Sequence, residues 1–121
     1  MIMSDGEMID QGAFGALSEI AGGDSAFIGE MIDAYLVEAS DLLKMMRDAL
    51  AHEDATVLRR AAHSLKSSSA MFGATTLTER CRRLEELSKA GWFAGADALV
   101  AECQREYDRA IEVLIRLRPE G

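Results

Sequence analysis

Residues 54–73 read DATVLRRAAHSLKSSSAMFG, and this stretch decides the fold. Leu58, Ala61, Ala62, Leu65, Ser69 and Phe72 recur at three- and four-residue steps, the repeat of one helix face. Asp54 is placed to cap the start of that helix, and Gly73 interrupts it. On the opposite side the same spacing gathers Arg59, His63, Lys66, Ser67 and Ala70. The expected helix therefore presses small and apolar side chains against its neighbours and holds a histidine out to solvent in mid-helix.

The same period continues in both directions. Upstream, apolar residues from Phe27 through Ile32, Tyr35, Ala39 and Leu43 to Leu50 form a broad face over 25–51, with Asp24 placed as N-cap. A shorter helix is read from about Asp10 to Ala21 on Phe14, Leu17 and Ile20, closed by Gly22 and Gly23. Downstream, Thr76 and Glu79 have capping-box spacing and open a helix on Leu77, Cys81, Leu84 and Leu87 or Ser88, ended by Gly91. The last helix, about Ala94 to Leu117, turns Leu99, Cys103, Tyr107, Ala110, Leu114 and Leu117 inward and is stopped by Pro119 and Gly121. Short connections make consecutive helices antiparallel neighbours. The expected fold is all-α, an antiparallel up-down four-helix bundle with an additional short N-terminal helix over one end. It forms one domain across 1–121, with its core at about 9–117.

Composition fits this picture and removes several functions. A chain of 121 residues can bury one hydrophobic core without disulfides or a metal. Its net charge of -8 argues against nucleic acid, which needs surplus Lys and Arg to displace counterions, and against anionic membrane surfaces. Cys81 and Cys103 lack metal-ligand or CxxC spacing and are read as small buried hydrophobes. Met31, Met45, Met46, Met71 and Trp92 are read as packing residues, and His52 as a turn residue. No apolar run is long enough to span a membrane, and Met1 to Asp10 has no basic n-region, so a cytoplasmic location is expected. The initial Met1 and its short polar lead fit a free-standing protein.

His63 carries the candidate chemistry. The imidazole group titrates around pH ~6.5, so its neutral nitrogen is an effective nucleophile near neutrality. A packed bundle holds the ring while leaving its outer nitrogen free, and Lys66 is placed to offset charge on phosphoryl oxygens. Spacing alone leaves open an ordinary solvated helix face.

The residues in order narrow that choice. The run from Ala62-His63-Ser64-Leu65-Lys66 through Ser69 to Gly73-Ala74 resembles the signature of histidine-containing phosphotransfer (HPt) domains, His-x-Leu-Lys-Gly-Ser-Ser/Ala followed shortly by Gly-Ala. Cys81-Arg82-Arg83-Leu84-Glu85 is similar to a Cys-x-x-Leu-Glu stretch common in that family, and the likeness extends from Ile9 to Leu117. The resemblance implies that His63 accepts a phosphoryl group through Nε2, assisted by Lys66. It implies a docking surface at Arg59, Ser67, Ala70, Gly73 and Lys89, with Gly73 also letting helices approach and Ser69 packed inside. The one departure is Ser67, where the family usually has glycine to admit its partner closely.

The implied role is a phosphorelay intermediate without ATP-dependent kinase activity. It takes the phosphoryl group from one receiver-domain aspartate and passes it to another. The implied partners are receiver domains of response regulators or of a hybrid sensor histidine kinase, with Mg²⁺ supplied by the receiver and no cofactor or metal of the chain's own. A monomer is expected. Two related readings share the histidine: the phosphotransfer domain of a chemotaxis-type kinase, and an inactive scaffold. A dimerising sensor-kinase helix is disfavoured because Ser64 follows His63 and no proline is near. A di-metal bundle is disfavoured because Arg60, not glutamate, precedes His63 by three residues. A hydrolase is disfavoured because the histidine's own helix face carries no carboxylate.

Overall fold

Aspartates start the first three helices. Asp10, Asp24 and Asp54 accept backbone N–H groups of Gly12, Phe27 and Val57 at 3.0, 3.1 and 3.1 Å, satisfying donors that a helix start leaves orphaned. The computed structural model describes residues 9–118. Its helices are α1 Gln11–Ile20, α2 Ser25–Ala51, α3 Ala55–Met71, α4 Thr75–Lys89 and α5 Ala96–Leu117. Each of α2 to α5 packs against the next, and α5 returns to α2, which closes the expected four-helix bundle. The short α1 lies against α3. No described helix is long and apolar enough to cross a membrane.

The core is apolar apart from Ser69, Ser88 and Glu106. Leu58, Ala61, Ala62, Leu65, Ser69 and Phe72 are all buried, as the spacing predicts. Ser69 is paired with Tyr35 of α2, hydroxyl to hydroxyl at 2.7 Å. Desolvation around that ring pushes the Tyr35 phenol above its ordinary range, so it stays neutral. Tyr35 also packs on Phe72 with centroids 4.7 Å apart and meets Tyr107 of α5 edge-on at 6.3 Å. Tyr107 in turn donates to the Leu36 carbonyl at 3.0 Å. One aromatic cluster thus ties α2, α3 and α5 together. Cys81 and Cys103 are buried and free with sulfurs 4.0 Å apart; their mutual hydrogen bond and their burial keep the Cys81 thiol protonated.

Some expected inward positions face solvent. Ile20 is 82% exposed and Trp92 63%, and Phe27, Met45 and Met71 are also exposed. The α2 helix has 27 residues against 17 for α3 and 15 for α4, so its ends, with Phe27 in the first turn, run past their neighbours. Leu99 and Leu117 are half-buried, whereas Ala96, Val100 and Val113 are buried on α5. That helix starts at Ala96 rather than Ala94, because Gly95 adopts a left-handed φ of 85° at its N-cap. The expected stop at Pro119 and Gly121 lies outside the described residues.

The α3–α4 connection is tighter than the capping-box reading allows. Gly73 has φ 76°, and the amides of Gly73 and Ala74 donate to the carbonyls of Ala70 and Ser69 at 3.0 and 2.9 Å. That closes α3 and starts α4 at Thr75, so Thr76 already lies inside the helix. Ala74 is the N-cap and makes no side-chain cap, while Glu79 binds Arg82. Asp10 also donates its amide to the Gly73 carbonyl at 2.6 Å. A Cβ on Gly73 would stand 2.7 Å from the Asp10 carbonyl oxygen, whereas Gly91, also at φ 76°, faces open space. Gly73→Ala should therefore destabilise the bundle by about 3 kcal/mol and Gly91→Ala by about 1 kcal/mol. Urea unfolding of the two variants measures the difference; equal losses would remove the role given to Asp10.

Candidate functional site

The outward face of α3 is occupied as its register requires. Arg59, His63, Ser67 and Ala70 are exposed, and the His63 side chain is 58% accessible. What the α3 sequence does not contain is the group that holds the ring. Glu85 reaches across from α4, and its Oε2 lies 2.7 Å from His63 Nδ1. Its other oxygen, Oε1, accepts from Lys66 Nζ at 2.5 Å. One carboxylate therefore bridges both residues that the sequence singled out.

The protonation state of this cluster follows from the bridge. The Lys66 ammonium beside Glu85 holds its carboxyl below the usual carboxylate range, against the smaller opposing effect of partial burial, and the His63 hydrogen bond adds to the lowering. An ionised carboxylate only accepts hydrogen bonds, so Nδ1 of His63 is the protonated nitrogen. In the neutral ring Nε2 then carries the lone pair. The ring lines a cleft of about 420 Å³ together with Arg59, Arg60, Ser64 and Glu85. No serine hydroxyl is hydrogen-bonded to His63 among the described residues. The ring is thus held by one edge and open at the other.

The remaining expected site residues divide. Ser67 and Ala70 share the exposed face with His63, and Arg59 lines its cleft. Lys66 does not stand free beside the imidazole but is tied to Glu85. Gly73, grouped with the docking residues from the sequence, is buried in the turn under Asp10 and presents no surface. Lys89 is exposed one turn beyond Glu85 and has no hydrogen bond or ion pair among the described residues. The histidine's own helix face carries no carboxylate, as expected, and Glu85 serves it from α4 instead. Its only trace in the sequence was its place at the end of the Cys81–Glu85 stretch. Among the described residues, no group of three His, Cys, Asp or Glu side chains is arranged to hold a metal ion.

A family model described as Hpt domain matches residues 30–113. The phosphorelay protein LuxU of Vibrio vulnificus, in two strains, is 29% identical over 85 residues, which is 70% of this chain and 72% of LuxU. Among solved structures, histidine-containing phosphotransfer protein B (HptB) from Pseudomonas aeruginosa PAO1 superposes with a TM-score of 0.85 at 27% identity. That match covers 92% of this chain and 94% of the other.

The lowered Glu85 pKa makes the bridge sensitive to acid. A carboxyl whose folded pKa is depressed stabilises the fold above its unfolded value, about 4.3, and loses that contribution as pH falls through the folded value. Wild type should therefore be more stable than Glu85→Gln at pH 7, and the gap should narrow as pH drops below about 4. Paired urea titrations at pH 7 and pH 3 check this; a gap that widens in acid would contradict the assigned charge state.

Proposed function

The chain belongs to the Hpt domain family, and from that premise we propose that His63 is the residue on which it carries a phosphoryl group. It is a histidine phosphotransfer intermediate of phosphorelays, in keeping with its likeness to LuxU and HptB. The observation that carries the residue assignment is the free Nε2 of His63, exposed in mid-helix while Nδ1 is held by Glu85.

The chemistry follows from that geometry. The Nε2 lone pair attacks the phosphorus of a receiver-domain aspartyl phosphate in line. The phosphorus–oxygen bond breaks and its electron pair returns to the receiver carboxylate. The ring becomes an imidazolium still protonated at Nδ1, and the Glu85 carboxylate stabilises that positive charge while fixing the tautomer and the ring plane. Lys66 holds Glu85 ionised and in place. The reverse sequence passes the group to a second aspartate. Mg²⁺ is assigned to the receiver, and the partner is a receiver domain of a response regulator or hybrid kinase. No Gly-rich nucleotide-binding loop supports ATP chemistry, so the chain acts as a carrier rather than a kinase. Ser67 and Ala70 are small and share the exposed face of α3 with His63, which lets a partner close over the ring.

Incubation with a radiolabelled phospho-receiver and Mg²⁺ should place acid-labile, alkali-stable label on wild type and none on a folded His63→Gln chain. Label retained by His63→Gln would sink the assignment. Glu85→Gln and Lys66→Ala should keep the acceptor and slow transfer by about tenfold or more, as loss of a carboxylate that orients a reacting imidazole does.

A further inference from the structure

Among the described residues most cations have a polar partner, and the two neighbouring ones beside His63 do not. Lys44, Arg80, Arg82, Arg83, Arg109 and Arg118 each meet a carboxylate, and Arg47 meets the Gln104 side chain. Lys66 is taken by Glu85. Among the described residues, Arg59 and Arg60, together with Lys89 and the distant Arg105, have no hydrogen bond or ion pair. Two adjacent guanidiniums thus stay unpaired in a chain of net charge -8, where carboxylates outnumber cations.

Their position is specific. Arg59 and Arg60 precede His63 by four and three residues, one turn toward the N-terminus of α3. Helical side chains lean toward the N-terminus, so the His63 ring covers the turn that carries the arginines, not the turn that carries Lys66. The cleft beside the ring agrees, being lined by Arg59, Arg60, His63, Ser64 and Glu85 and not by Lys66 or Ser67. The Lys66 charge is already matched by the carboxylate at 2.5 Å. A phosphoryl group on Nε2 brings up to two negative charges and three acceptor oxygens, which guanidinium forks match in geometry.

We propose that Arg59 and Arg60 form the anion-binding half of the His63 site and contact the oxygens of the transferring phosphoryl group. This rests on His63 being the phosphoacceptor. In the transfer step the bond from phosphorus to Nε2 forms, the donor's bond to phosphorus breaks, and the arginines remain protonated throughout.

The test separates phosphoryl contact from partner docking by using a donor too small to dock. Wild type, Arg59→Gln/Arg60→Gln, Arg59→Lys/Arg60→Lys and His63→Gln are each treated with potassium phosphoramidate, whose nitrogen leaves as ammonia. Phosphohistidine is followed by ³¹P NMR, and parallel reactions use a phospho-receiver. The double glutamine variant should accept about tenfold more slowly from both donors, with the double lysine variant in between. Circular dichroism verifies the fold of every variant. Acceptance from phosphoramidate at the wild-type rate by the double glutamine variant overturns the proposal. Slowing with the receiver alone also overturns it, making the arginines docking residues. Equal labelling of wild type and His63→Gln would instead strike the phosphoacceptor assignment beneath it.

Discussion

The turn at Phe72, Gly73 and Ala74 sets the register of α3 against α4, and everything at the site depends on that register. His63 lies eleven residues before Ala74 and Glu85 eleven residues after it. At ~1.5 Å per residue both are about 16 Å from the turn, so they meet at the same height on neighbouring helices. A longer connection would free α4 to slide or rotate, and a one-residue change would swing Glu85 by about 100° around its axis. The left-handed Gly73, locked to Ala70 and Asp10, with Ala74 locked to Ser69, removes that freedom. A backbone constraint far from the histidine thereby decides which nitrogen of the ring is free.

Much of this was legible in the sequence because α3 carries its two faces in one short stretch. Every member of its predicted stripe is buried, and the histidine stands outward as its spacing requires. Asp24 and Asp54 cap as expected because an N-cap is decided by residues three apart. Glu85 escaped because its partner is 22 residues away, and helical periodicity gives the phase of a face but not the height at which two helices meet. Ile20, Phe27 and Trp92 have a spacing or size that suits a core, yet all three stand exposed. The Thr76–Glu79 pattern misled because Gly73 starts the helix two residues earlier, leaving Thr76 inside and Glu79 free for Arg82.

Acidity, which at first served only to exclude nucleic acid, organises the site as well. In a chain rich in carboxylates most cations are drawn into ion pairs on the surface, each of small energetic consequence. The pair that matters is Lys66–Glu85, partly sheltered from solvent, with side-chain exposures of 29% and 20%. It keeps a carboxylate ionised where it can serve a ring nitrogen, so the lysine acts at one remove.

The groups that engage the ring or line its cleft all belong to one helical hairpin. His63, Lys66, Glu85, Arg59 and Arg60 lie on α3 and α4, while Tyr35 of α2 and Tyr107 of α5 join Phe72 in the aromatic cluster. Sites that share no partners respond nearly independently to substitution. The outer faces of α2 and α5 are therefore open to evolutionary drift without cost to the reacting imidazole. Duplicated copies of such a gene can diverge in whom they recognise while inheriting the same chemistry unchanged.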